Sequence, residues 1–213
     1  MAGLDTKERI LNAAEHFFAR DGFHNTSLRM ITGRAKVNLA AVNYHFGSKE
    51  ALLKEVFERR LIPLNKIRRE NLERVRDDAR KKGCKPNVRD VMHAFIEPTF
   101  HFMASGPEAK DFIALIGRAL SEPDDTVRNI FIHIMWSLFI LLVEILADAL
   151  PELPKNVLFW RLQFSMGAMA HTLHISQKSF PEHHAFMNII SETEIDSLIE
   201  MILKYITSGL EAS

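Results

Sequence analysis

Cysteine is nearly missing from this chain: Cys84 is the only one among 213 residues. That excludes an intramolecular disulfide framework and fits a reducing compartment, so a cytoplasmic protein is expected. Cys84 lies in the linker-like stretch Arg80 to Asn87, where an ordinary exposed thiol is expected. The N-terminus lacks the apolar core that a signal peptide needs. A clean membrane span is missing as well. The most apolar run, Ile130 to Leu146, is interrupted by His133, Ser137 and Glu144 and falls short of the roughly 20 apolar residues a span requires. A buried helix is expected there, and no membrane partner.

The signatures of catalysis are absent too. There is no Gly-x-Ser-x-Gly, no glycine-rich phosphate loop and no His-Glu-x-x-His. Histidine is plentiful, with ten residues, but its pairs do not suit a metal. His93 and His101 are eight apart, His171 and His174 three apart, and His183 and His184 adjacent; none has a carboxylate or cysteine at a convincing ligand spacing. Glu97, Glu144 and His133 are candidate buried polar groups, in a satisfied core or ligand-orienting role rather than in acid–base chemistry. No enzyme activity, metal or cofactor is expected.

Net charge is also missing, with 27 Lys+Arg against 27 Asp+Glu. The balance is uneven along the chain. Residues 1–60 hold ten basic and seven acidic side chains, and the rest is correspondingly acidic. A modestly basic N-terminal part is compatible with nucleic acid.

What remains is helical periodicity. No alternating strand pattern persists, and apolar residues recur at helical spacing. After a first helix from Thr6, the polar and proline-containing separators at 105–107, 122–124, 151–154 and 180–182 divide the later chain into helices near 88–104, 107–121, 125–150, 155–179 and 191–210. The helix that starts at Lys49 carries the stripe Leu52, Leu53, Val56, Phe57 and Leu61, with Arg59, Arg60, Arg68 and Arg69 largely off it and a bend expected at Pro63. Its polar end, Arg68 to Lys82, suits solvent. The expected fold is all-α with about nine helices.

Residues 26–49 form the most informative segment. They read as two short helices, a tight turn and a polar tip, which is a helix-turn-helix. Thr26 can cap the first short helix, Asn38 the second and Ser48 the next. Val42 and Phe46 are four apart and face inward, leaving Asn38, Leu39, Asn43, Tyr44 and His45 outside. A short helix with small, polar and aromatic residues outside suits a major groove.

The stretch Thr6 to Leu53 resembles the N-terminal domain of the TetR family of transcriptional regulators. The similarity lies in Thr-Lys-Glu-Arg-Ile-Leu-Asn-Ala-Ala-Glu-His-Phe-Phe, Arg-Asp-Gly-Phe, Thr-Ser-Leu-Arg-Met-Ile and Asn-Tyr-His-Phe-Gly-Ser-Lys-Glu-Ala-Leu. One departure stands out: Lys36 occupies the turn position where the family usually has glycine, and there it must bear the cost of a positive φ. The resemblance implies a helix-turn-helix domain over 1–50 and a ligand-binding and dimerisation domain over 51–213. It implies DNA contacts by Thr26, Tyr44, His45 and Lys49 at phosphates and by Asn38, Leu39, Ala40 and Asn43 at base edges, with Arg29 and Arg34 adding charge near the backbone and Ser27 also at the DNA. It also implies a homodimer formed through the last two helices, whose recognition helices meet successive major grooves about 34–36 Å apart.

The body is rich in Phe and Met, adaptable walls for an apolar ligand. The 125–150 helix is apolar on nearly every face and is expected to be surrounded by other helices. Candidate ligand contacts are Phe95, Phe112, Ile116, Arg118, Met135, Phe139 and Phe164. Residues 37–49, with Leu-Phe-Trp-Arg and Met-Gly-Ala at 158–168, look like the branch of the family that includes fatty-acid-responsive regulators. This implies a repressor of a palindromic operator, released by a long-chain fatty acid or acyl-CoA. Arg118 or Arg161 can meet the acid or phosphate, or equally form ion pairs between helices. The alternatives are a drug-like effector, as for a regulator of a multidrug efflux gene, and an apolar-ligand carrier with no DNA role.

Overall fold

Four helices begin where a short polar side chain, Ser27, Asn38, Ser48 or Asn87, accepts from an orphaned backbone N–H. The computed structural model describes residues 5–121, 125–175 and 193–212. Within them the helices are α1 Thr6–Asp21, α2 Leu28–Ala35, α3 Leu39–Phe46, α4 Lys49–Lys81, α5 Val88–Ala104, α6 Pro107–Ser121, α7 Asp125–Ala149, α8 Lys155–Ile175 and α9 Ile195–Leu210. No strand occurs among the described residues, so the fold is all-α as expected. His183, His184 and the separators at 122–124 and 180–182 lie outside the described residues.

Two of the three expected caps are in place. Asn38 Oδ1 accepts from the Ala41 N–H at 2.9 Å and Ser48 Oγ from the Ala51 N–H at 3.0 Å. The third is shifted by one residue: Ser27, not Thr26, caps α2, its Oγ accepting from the Met30 N–H at 3.2 Å. Thr26 is buried, and its hydroxyl donates to Gly22 O at 2.7 Å and Phe17 O at 3.1 Å. Ser27→Ala is therefore expected to cost about 1 kcal/mol, and Ser27→Gly only a few tenths. Thermal melts of the two variants check this; glycine proving the worse substitution would refute the cap.

The chain divides into two compact units. One holds the residues up to Pro63 with Gly106–Met135, and the other holds Leu64–Ser105 with the residues from Trp136 onward. Helices α4 and α7 each contribute to both. α6 and the first half of α7 group with the N-terminal helices.

In the first unit, Ile10, Phe18, Ile31, Val42, Leu53 and Phe57 form the core. Phe57 of α4 meets Phe112 of α6 and Phe131 of α7 at ring separations of 5.9 and 6.0 Å. Polar contacts add to this core. Glu15 of α1 is buried and accepts from Arg59 Nη2 at 2.6 Å and from Arg60 Nε and Nη2 at 3.1 and 2.9 Å. Arg60 also reaches Glu108 of α6. Burial opposes the Arg60 charge, but the hydrogen bonds and charges of Glu15 and Glu108 outweigh it and raise its pKa.

In the second unit, α5 and α8 pack on α9, burying Met92, Phe95, Ile96 and Phe100 with Ile199, Leu203 and Ile206. Arg68 corrects the sequence reading, which assigns it to a solvated helix end. It is buried over the Phe95 ring, 4.8 Å from its centroid, and donates to Asn65 Oδ1 at 3.0 Å and to Thr99 Oγ1. Burial pushes this guanidinium down to about 10, so it stays charged at neutral pH.

The expectation for α7 is corrected as well. The helix is long and apolar enough to cross a membrane by length and composition. It is not surrounded, because Ile132, Trp136 and Ile140 make an exposed stripe at a spacing of four. His133 and Glu144 are exposed rather than buried, and half-buried Glu97 lies between His93 and His101 at 3.4 and 3.6 Å. No group of three His, Cys, Asp or Glu among the described residues is arranged to hold a metal.

Candidate nucleic-acid interface

The turn between α2 and α3 sets the pose of the recognition helix. Lys36 sits in the left-handed region at φ 54°, ψ 49°, as its place at the family's glycine position requires. Its N–H points to Gly33 O and Thr32 O, and the Val37 N–H donates to Thr32 O at 3.1 Å. This is the paired closure of a helix end by a left-handed residue. Asn38 then starts α3 at once, so little slack remains between the two helices.

Val42 and Phe46 anchor α3 in the core, and the opposite face is open. Asn38, Leu39, Ala40, Asn43 and Tyr44 are exposed, Tyr44 by 86 %. These small, amide and aromatic groups stand together on one side of a two-turn helix, the arrangement that base-edge reading needs. Exposed Ser27 and Arg29 lie at the start of α2 and exposed Arg34 near its end. His45 is half-buried beside Tyr44, with ring centroids 5.2 Å apart, and Lys49 lies over the Phe23 ring at 4.3 Å. Thr26 departs from the expected set: its hydroxyl is turned inward onto two carbonyls and cannot donate to a phosphate while that packing holds. The Asn38 side chain is occupied by its cap, which leaves Asn43 the better placed amide.

The electrostatics of this face have a signature that sequence reading missed. From Gly22 to Lys49 the chain contains Arg29, Arg34, Lys36 and Lys49 and no Asp or Glu. Most acids of the head lie elsewhere, on α1 and α4, where five of them are paired: Glu55 with Lys7, Asp21 with Arg20, Glu58 with Lys54, Glu8 with Arg59, and Glu15 with Arg59 and Arg60. Arg29, Arg34 and Lys36 form no ion pair among the described residues. A net charge of zero therefore conceals a local field of one sign, the kind that attracts phosphate.

The candidate ligand residues do not converge. Phe112 is fully buried in the first unit as a partner of Phe57, and Ile116 and Met135 are half-buried in that unit. Phe95 and half-buried Phe139 belong to the second unit, and Phe164 is exposed on α8. The two candidate arginines close helix ends. Arg118 Nε and Nη2 donate to Ala19 O and Arg20 O at 2.8 Å each, and Arg161 Nη1 donates to Leu210 O at 2.9 Å. Both cap C-terminal carbonyls, where a cation also meets the negative end of the helix dipole.

The surface of α8 and α9 is apolar and open. Phe159, Trp160 and Phe164 on α8 and Met201 and Tyr205 on α9 are all exposed. An open groove of about 640 Å³ lies between the two helices, lined by Arg161, Phe164, Ser165, Met201, Lys204 and Tyr205 among others.

Comparison with known proteins gives this geometry a context. Residues 10–56 match the family described as "Bacterial regulatory proteins, tetR family", and residues 93–209 match "Tetracyclin repressor-like, C-terminal domain". The HTH-type transcriptional regulator UidR of Escherichia coli is 39 % identical over 51 residues, which are 24 % of this chain and 26 % of that protein. The chain thus spans about a quarter of that curated relative. Among solved structures, the fatty acid degradation regulator FadR of Bacillus halodurans superposes with a TM-score of 0.65 at 14 % identity, covering 99 % of both chains. FadR of Bacillus subtilis, solved in complex with stearoyl-CoA, gives 0.64 at 18 % identity over 95 % of this chain and 98 % of that one. At such identities the superpositions speak for the fold alone.

Proposed function

The chain belongs to the TetR family of bacterial transcriptional regulators, and from that membership we propose that it is a cytoplasmic repressor that binds a palindromic operator as a homodimer and is released by an apolar, acid-bearing effector. The observation that carries the DNA half is the open face of α3, with Asn43, Tyr44, Leu39 and Ala40 exposed within a stretch of chain, Gly22 to Lys49, that holds four Lys or Arg and no Asp or Glu. Asn43 reads a base edge, Leu39 and Ala40 touch thymine methyls, and Tyr44, His45 and Lys49 hold phosphates. The second copy docks on α8 and α9, where Phe159, Trp160, Phe164, Met201 and Tyr205 stand exposed, the last three along one groove.

The effector half rests on the second unit. There Arg68, buried over the Phe95 ring, replaces Arg118 and Arg161 as the cation for a carboxylate or phosphate. The resemblance of residues 37–49 and 158–168 to fatty-acid-responsive regulators favours a long-chain fatty acid or acyl-CoA over a drug-like compound. Release follows from a population shift: the effector frees DNA only as far as it binds the non-operator state more tightly.

Fluorescence anisotropy on DNA from upstream of the protein's own gene, titrated with long-chain fatty acids and acyl-CoAs, tests both halves. Tight, salt-sensitive binding reversed by the lipid is the expected result. Asn43→Ala should lower the preference for that DNA over a scrambled duplex by about 1–3 kcal/mol. Binding that the lipid leaves unchanged removes the effector. No preference for the upstream DNA over a scrambled duplex removes that region as the operator.

A further inference from the structure

Among the described residues, Lys36 is the one residue other than glycine with a positive φ. The backbone there is not free to choose otherwise. The α2 end and the immediate start of α3 need a left-handed residue, and a β-carbon makes that conformation unfavourable. A side chain kept in a strained backbone position at a site of binding points to a use for that side chain. Four further observations say what the use is. Lys36 is exposed, it forms no ion pair among the described residues, and it lies two residues before Asn38, the cap of the recognition helix. It is also part of the acid-free run from Gly22 to Lys49.

We infer that Lys36 is a DNA-phosphate contact, a charge that this chain places at the helix-turn-helix turn by accepting a strained backbone. The inference rests on the DNA-binding reading above. A lysine on this turn enters the duplex region together with the N-terminus of α3, the end of a recognition helix that reaches the groove. Its flexible stem and compact ammonium suit a phosphate oxygen better than a base edge. It would then add affinity for every sequence and discriminate between none.

The test compares full-length wild type with Lys36→Gln, Lys36→Arg and Lys36→Gly on a mixed-sequence DNA duplex, so that no operator need be known. Binding constants are measured across a salt series. Lys36→Gln and Lys36→Gly should each bind more weakly and lower the slope of log K against log salt by about 0.9 per head, and Lys36→Arg should keep the wild-type slope. Lys36→Gly should also melt about 2–4 °C higher, through relief of the turn, while Lys36→Gln melts with the wild type. Weaker binding by Lys36→Gly together with a higher melting temperature separates lost contact from lost fold. If the wild type binds with a steep salt slope and all three variants share it, Lys36 is no contact and the inference falls while the DNA reading stands. If the wild type shows no salt-dependent binding, the DNA reading falls and takes the inference with it.

Discussion

Replacing Glu15 by alanine will lower the unfolding free energy by about 3–5 kcal/mol, the usual consequence of removing one partner from a buried ion pair. The side chain of Glu15 is 4 % exposed, and those of Arg59 and Arg60 are 17 % and 22 % exposed. Without the carboxylate, two guanidinium groups on adjacent residues of α4 remain close together in a region with little water. Arg59 keeps Glu8 and Asn12, and Arg60 keeps Glu108, so part of the charge stays paired and the lower half of the range is the better expectation. Glu15→Gln retains the shape and one acceptor and should cost less than Glu15→Ala. Urea unfolding followed by circular dichroism measures the change. A double-mutant cycle with Arg60→Ala isolates the pair from the packing of either side chain. A loss below about 1 kcal/mol for Glu15→Ala would mean the pair behaves like an exposed one. Because Glu15 and Arg59 join α1 to the helix that follows the recognition helix, DNA binding should fail at the urea concentration where this unit opens.

Much of this fold is written locally in the chain. Asn38 and Ser48 cap α3 and α4 because short polar side chains before apolar helical repeats have few other roles. The inward turn of Val42 and Phe46 follows from their spacing alone. Lys36 was readable as a strained residue because it replaces glycine at a position where φ has to be positive. The cap of α2 was misplaced by one residue because two hydroxyls stand side by side: Ser27 closes the helix, and Thr26 reaches carbonyls in the preceding segment. Nothing local distinguishes the two.

The errors in the candidate site have a common physical cause, which is that they depend on partners distant in sequence. Arg68 looks like a solvated residue on α4 until Phe95 and Thr99 of α5 cover it. Arg118 and Arg161 look like cations waiting for an acid, yet each closes the end of a helix some 99 or 49 residues away. The mostly apolar α7 reads as enclosed because composition averages over its faces, whereas burial acts on each face separately; Trp136 and Ile140 remain on the open one. The acid-free run around the recognition helix is a different case. It was present in the sequence and needed only a window narrower than the first 60 residues.

Phe164→Glu combined with Tyr205→Glu will convert the protein to a monomer and weaken operator binding by about 10²–10⁴-fold, because the second head then no longer binds as an intramolecular event. Phe164 and Tyr205 are 69 % and 70 % exposed, so neither substitution opens a cavity, and the helical circular dichroism should be unchanged. In a dimer both residues would be covered, and a carboxylate there would meet either apolar surface or its symmetry-related copy, since a two-fold interface places the same patch on both sides. The change therefore acts twice for each substitution. Light scattering gives the mass, and anisotropy on the operator gives the affinity. Binding per head to a mixed-sequence duplex should survive, because α3 and its cations are untouched. A double variant that remains dimeric would move the interface elsewhere, with the α7 stripe of Ile132, Trp136 and Ile140 the next surface to charge. A monomer that still binds the operator as tightly as the wild type would separate dimerisation from recognition. The two heads would then contribute independently, and the operator would need no two-fold symmetry.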